Sequence, residues 1–140
     1  FRRVLYYKKK KINFCGLDNE KIIRLFNKEK TNFNNQLVHE RIEVNNLNLE
    51  FLNGNIKHYS FNTISDFIQK IDSYSSLYAE QNSKYASPFL ALVKSIVCFL
   101  KVYFLKLGFL DGYVGFLISY SSAVGVFYKY LKLYEKNNNL

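Results

Sequence analysis

Residues 49–71, LEFLNGNIKHYSFNTISDFIQKI, contain the change of hydrophobic period that decides the fold. On its first side the pattern is extended. Leu49–Leu52 and Ile56–Tyr59 are short apolar and aromatic runs, and Asn53-Gly54 between them is a dipeptide whose positions accept positive φ, so the stretch predicts a β-hairpin. Beyond Asn62 the period becomes helical. Ile64, Phe67, Ile68, Ile71, Tyr74 and Tyr78 recur at three- and four-residue spacing, and Thr63 with Asp66 three positions on forms an N-capping pair, predicting an amphipathic helix from 64 to about 82.

Upstream of this switch, Val4–Tyr7, Ile22–Phe26, Val38–Val44 and Ile56–Phe61 are β-branched or aromatic runs separated by Asn, Gly, Asp and Lys, which predicts further short strands. Downstream, Ser87-Pro88 opens a second helix that Gly108 closes, and a third runs from about Tyr113 to Lys136. In GFLDG (108–112), Asp111 is expected to cap that third helix. The expected fold class is therefore α+β: short, mostly antiparallel strands over residues 1–62, then three C-terminal helices over 63–140, the last two an apolar hairpin.

Aliphatic and aromatic residues make up 49% of the 140-residue chain, with 12 Tyr and 13 Phe, which excludes a disordered polypeptide. A net charge of +9, concentrated locally at Arg2, Arg3 and Lys8–Lys11, favours anionic partners. Nucleic acid is not the expected one: single-strand binding needs aromatics on an exposed sheet face ringed by basic residues, and most aromatics here lie in helical stripes. An anionic membrane surface or an acidic glycolipid suits the basic run better. Cys15 and Cys98 have no CxxC spacing and no companion zinc ligands, so reduced thiols and a cytoplasmic setting are expected. The basic N-terminus is not followed by an apolar stretch of signal-peptide type. With Phe1 first and no methionine, the numbering is expected to open inside a longer protein or on a truncated copy.

The two last helices also pose a membrane question. Phe89–Leu107 is mostly apolar, but Lys94, Lys101 and Lys106 interrupt it, and a central lysine costs about 2.5–3.5 kcal/mol on insertion scales. Lys94 and Lys101 are seven residues apart and share a face, and Gly112–Tyr128 is uncharged, so the expectation is a hairpin lying in the bilayer interface, with a soluble hairpin as the alternative.

The candidate chemistry centres on Val38-His39-Glu40, where an ionisable pair adjoins an extended segment. A carboxylate held there can act as a base; the plainer reading is polarity on a strand surface. Taken in order, Gly16, Ile23-Arg24-Leu25-Phe26, Val38-His39-Glu40, His58-Tyr59, Lys70 with Tyr74 and Ala79, and Gly108-Phe109-Leu110-Asp111-Gly112 form a set. This set resembles the C-terminal part of a family 2 glycosyltransferase of the bacterial lipopolysaccharide-core type. The resemblance implies a GT-A fold whose nucleotide-binding half carries a DxD motif for a divalent metal, Mg or Mn. That motif is absent here, since the aspartates are Asp18, Asp66, Asp72 and Asp111.

By the same resemblance Glu40 is the general base that takes the acceptor hydroxyl proton, with His39 orienting it or contacting acceptor. His58 is a possible metal ligand, or else a hydrogen-bonded histidine at a strand end. Arg24 faces donor phosphates, or pairs with Glu43 or Glu50. Lys70 and Tyr74, one turn apart, contact acceptor or lipid, or simply form a solvated helix face. The implied partners are a nucleotide-sugar donor and a glycolipid acceptor, at the cytoplasmic face of the inner membrane. Without the nucleotide half the chain alone is expected to be inactive, and the alternative from another class is a non-catalytic membrane-docking module.

Overall fold

A computed structural model describes residues 1–17, 20–33, 42–44 and 47–140. His39 and Glu40, and most of the strand expected over 38–44, lie outside the described residues. The strand-rich segment is built on β1 (Arg2–Tyr7), which pairs along both edges. On one edge β2 (Lys10–Lys11) and β3 (Glu20–Lys21) pair antiparallel with its two ends, Tyr7 opposite Lys10 and Arg3 opposite Glu20. On the other, β4 (Asn55–Phe61) pairs parallel along its whole length, Leu5 opposite His58 and Tyr6 opposite Tyr59.

The expected hairpin around Asn53-Gly54 therefore does not form. Gly54 is not among the positive-φ residues, and Leu49–Leu52 is not a strand. Instead Ile56–Phe61 finds its partner some fifty positions back in β1, where period-2 burial on both strands gives a common inner face. The strand expected over Ile22–Phe26 does not form; the nearby strand is the two-residue Glu20–Lys21 just before it, and Ile42 forms an isolated antiparallel bridge with Phe33.

The helices follow the sequence closely. α1 (Ile64–Gln81) starts in a full capping box: the Thr63 hydroxyl accepts from the Asp66 amide at 3.2 Å, and the Asp66 carboxylate accepts from the Thr63 amide at 3.0 Å. α2 (Pro88–Leu100) is capped by Ser87, which accepts from the Leu90 amide at 3.1 Å, with Pro88 in its first turn. It does not run regularly to Gly108. From Lys101 to Leu105 it widens into a π turn, the Lys106 amide reaching the Lys101 carbonyl at 2.9 Å, and Leu107 then turns the chain at φ +54°. A 3₁₀ turn over Gly108–Asp111 leads to α3 (Tyr113–Asn137).

Asp111 does not cap α3, whose start carries no side-chain cap. It is buried, and its carboxylate accepts from the backbone amides of Asn13 and Phe14 at 3.1 and 2.9 Å, fastening the chain after β2 to the helical hairpin. α3 packs against both α1 and α2. One core unites the two segments: Leu5, Tyr7, Ile12 and Cys15 pack with Phe67, Val102, Val114 and Ile118. Cys15 is a free thiol within it, pushed up to about 11 by burial and then by the Asp111 carboxylate. At the far end the Lys136 ammonium donates to the carbonyls of Ala79, Glu80 and Asn82, closing the C-terminus of α1 where the helix dipole favours a cation.

Candidate functional site

The inner face of the β1–β4 pair does not meet the helices everywhere. Between it, α1 and α3 lies a cleft of about 1030 Å³. Alternation along β1 and β4 turns Arg3, Leu5, His58 and Ser60 toward it, and one face of α1 supplies Phe67, Lys70, Ile71 and Tyr74. Arg24 reaches it from the segment after β3, and α3 adds Ser122, Gly125 and Lys129.

Four residues singled out in the sequence, Arg24, His58, Lys70 and Tyr74, thus line one cavity although they span 50 positions. Phe33 and Ile42 are lining residues too. Arg24 forms no ion pair with Glu43 or Glu50. Three lining groups escaped the sequence reading. Arg3 and Glu20 ion-pair across β1 and β3, and Lys129 sits over the rings of Tyr78 and Tyr130 at 4.4 and 5.2 Å. The signal for Arg3 was its parity with the apolar Leu5 and Tyr7, which a basic N-terminal run masks.

Charge is unevenly spread along the cleft. Lys70 donates to the Ser60 carbonyl at 2.9 Å and lies 4.1 Å from the centre of the Phe61 ring, which itself stacks on Phe67 at 3.9 Å. Burial holds the Lys70 ammonium below its ordinary pKa; Asp66 opposes that shift and Arg3 adds to it. His58 is likewise held below the usual histidine value, first by burial, then by the positive charges of Arg3, Lys70 and Arg24, against which Glu20 pulls the other way. The Nε of Arg3 is buried and has no hydrogen-bond partner among the described residues. Lys129 is lowered mainly by burial.

This surrounding does not suit a divalent cation. Among the described residues, His58 has three cations about it and one carboxylate, Glu20, that is already engaged by Arg3, and no three His, Cys, Asp or Glu side chains cluster. The described residues around His58 therefore do not fit the metal expected there. What they suit is an anion.

The outer surface is of a different kind. α2 buries only Ala91 and Ser95, and leaves Phe89, Leu92, Ile96, Val97 and Leu100 exposed. Pro88–Leu105 is long and apolar enough to cross a membrane, and with 17% of it buried it is not a core helix.

The chain is related in sequence to proteins named as glycosyltransferases. It is 33% identical over 125 residues to an uncharacterized glycosyltransferase of Rickettsia prowazekii, covering 81% of this chain and 42% of the relative. It is 33% identical over 127 residues to an uncharacterized glycosyltransferase of Rickettsia typhi, covering 82% of this chain and 43% of the relative. The chain thus spans about two-fifths of the length of these relatives. No family model and no solved structure matches it.

Proposed function

We propose that the chain forms the acceptor side of a membrane-peripheral glycosyltransferase of family 2, with a GT-A catalytic half, moving a sugar from a nucleotide donor to a lipopolysaccharide-type glycolipid at the cytoplasmic face of the inner membrane. The observation that carries the glycosyl-transfer reading is the similarity to proteins of that name over most of this chain. Support for an anionic substrate comes from the cleft, where Arg3, Arg24 and Lys70 outnumber Glu20, the one carboxylate among its described lining residues.

In an inverting transfer the acceptor hydroxyl loses a proton as it attacks the anomeric carbon, and the leaving diphosphate gathers negative charge. Glu40 is assigned the proton, with His39 holding the carboxylate or the acceptor in line. A glutamate with an ordinary pKa of about 4.3 is ionised near neutrality, so its position matters more than its tuning. Arg24 supplies counter-charge, and Lys70 and Tyr74 hold the acceptor.

Glu40→Gln tests the base. In the longest natural chain containing these residues, transfer from a nucleotide-sugar donor is expected to fall by about a hundredfold or more in kcat. Activity near that of the unaltered protein would remove Glu40 from the chemistry. A second reading, a docking module without catalysis, draws on the exposed apolar face of α2. It requires that no transfer be found in that protein while membrane binding persists.

A further inference from the structure

Aromatic rings gather where α2 turns back into α3. Phe99, Tyr103, Phe104, Phe109, Phe116 and Tyr120 form a connected set with neighbouring centroids 5.1–6.2 Å apart, and Tyr103 is its hub. Phe104, Phe109, Phe116 and Tyr120 are exposed, so the cluster belongs to the surface and not to a core. It carries the bare face of α2 past Leu100 and around the corner to Leu110 and Tyr113, which are exposed as well.

The charge around this corner has one sign. Residues 1–17 contain no acidic side chain, and between Glu80 and Glu135 the one acidic residue, Asp111, stands against Lys84, Lys94, Lys101, Lys106, Lys129 and Lys132. Asp111 is buried on the amides of Asn13 and Phe14, so it presents no charge to solvent. Lys10 donates to the Asp111 carbonyl at 2.7 Å, which holds the β1–β2 turn, with Lys8, Lys9 and Lys11 exposed, beside the same corner. Lys94 and Lys101, seven residues apart and exposed, follow one border of the apolar face of α2.

We propose that the aromatic corner and the lysine turn together form a docking surface for an anionic phospholipid bilayer, the rings lying at the headgroup boundary and α2 in the membrane plane. This rests on the membrane-peripheral reading above and not on sugar transfer. Exposed rings bordered by ammonium groups match a layer that is negatively charged outside and apolar beneath. A second copy of the chain would bring the same uncompensated lysines to the contact. Entry of the hairpin into the bilayer corner first is opposed by its ties to the sheet. The Cys15 amide donates to the Lys106 carbonyl at 3.0 Å, and Asp111 holds the Asn13 and Phe14 amides, so the corner would have to draw that non-helical backbone into hydrocarbon.

The sequence has no Trp, so Phe109→Trp places a sole fluorescent reporter in the cluster, and Ile68→Trp places one at an exposed position of α1 as a control. On vesicles of phosphatidylglycerol and phosphatidylcholine, emission from Phe109→Trp is expected to shift to the blue and to be quenched by brominated acyl chains, while Ile68→Trp changes in neither respect. In co-sedimentation at about 0.1 M salt, vesicles of phosphatidylcholine alone should bind the 140-residue chain about tenfold or more weakly. Lys8→Gln/Lys9→Gln should weaken binding to the anionic vesicles by about tenfold. Phe104→Glu/Phe116→Glu should weaken it at least as much, with the far-ultraviolet circular dichroism of the parent retained. An unshifted Phe109→Trp on vesicles that bind the chain, equal binding to neutral and anionic vesicles, or indifference to both double substitutions would each overturn the proposal while leaving a peripheral protein docked elsewhere. Failure to bind either vesicle would end the membrane-peripheral reading as well. Self-association that Phe104→Glu/Phe116→Glu abolishes, without vesicle binding, would assign the surface to a second copy and overturn the proposal.

Discussion

His58 shows at the scale of one residue how the fold changes the meaning of the sequence. Read along the chain it is a histidine at a strand end, suitable for a metal; in the fold it stands among Arg3, Arg24 and Lys70, with Glu20 the one opposing charge among the described residues. Its pKa is lowered in the native state, so between that value and the ordinary one of about 6.5 the unfolded chain binds more protons. Stability from this site is complete above about 6.5 and is lost as pH falls through the window below it. His58→Gln removes the titrating group, and the variant is expected to gain stability relative to the parent as pH is lowered from about 7.5 to 5.5. Urea midpoints for both proteins at the two pH values check this, and an unchanged difference between them would contradict it. Asp111 carries the complementary lesson. An Asp-Gly pair before a helix is a local capping signal, but the amides it satisfies belong to Asn13 and Phe14, and no local pattern announces a partner that distant.

At the scale of elements, what was legible was local. The Thr63–Asp66 box and the Ser87-Pro88 start are each complete within four residues, and both helices begin where those residues direct. The Asn53-Gly54 turn failed because a hairpin competes with every other partner for Ile56–Phe61, and the parallel edge of β1 buries its inner face against the helices. Of the candidate site, Arg24, His58, Lys70 and Tyr74 were legible through their order in the chain, while Arg3 required the strand pairing. The entry to α3 depends on a close approach that sequence periodicity does not reveal. A Cβ at Gly115 would lie 1.7 Å from the Gly108 carbonyl oxygen, which is backbone and cannot rotate away. Gly115→Ala is expected to destabilise the protein by about 3 kcal/mol. Gly125→Ala, on the same helix but in ordinary contact, is expected to stabilise by about 0.5–1 kcal/mol through helix propensity. Chemical denaturation of the two variants reads the contrast, and comparable losses in both would refute the steric account.

The whole molecule presents a sheet and cleft on one side and the bare apolar face of α2 on another. Ile96, Leu100 and Phe104 are about half exposed, and Lys94 and Lys101 are exposed on the same helical stretch. Membrane docking through this face predicts co-sedimentation with phosphatidylglycerol vesicles. It also predicts loss of binding in Ile96→Glu/Leu100→Glu with the fold retained. Binding should weaken as salt rises from about 0.1 to 1 M, where the screening length drops from about 10 to 3 Å. Vesicle binding that is indifferent to the double substitution would assign docking to another surface. The clamp between Asp111 and the Asn13–Phe14 amides has a consequence in time as well as space. Because it joins positions 98 and 97 residues apart, and the core around Ile12 and Cys15 waits for Val102 and Val114, the front of the chain cannot complete its structure while the rest is still being synthesised. Strands made before the helices are among the last to be secured, and sheet and helices must reach the native state together.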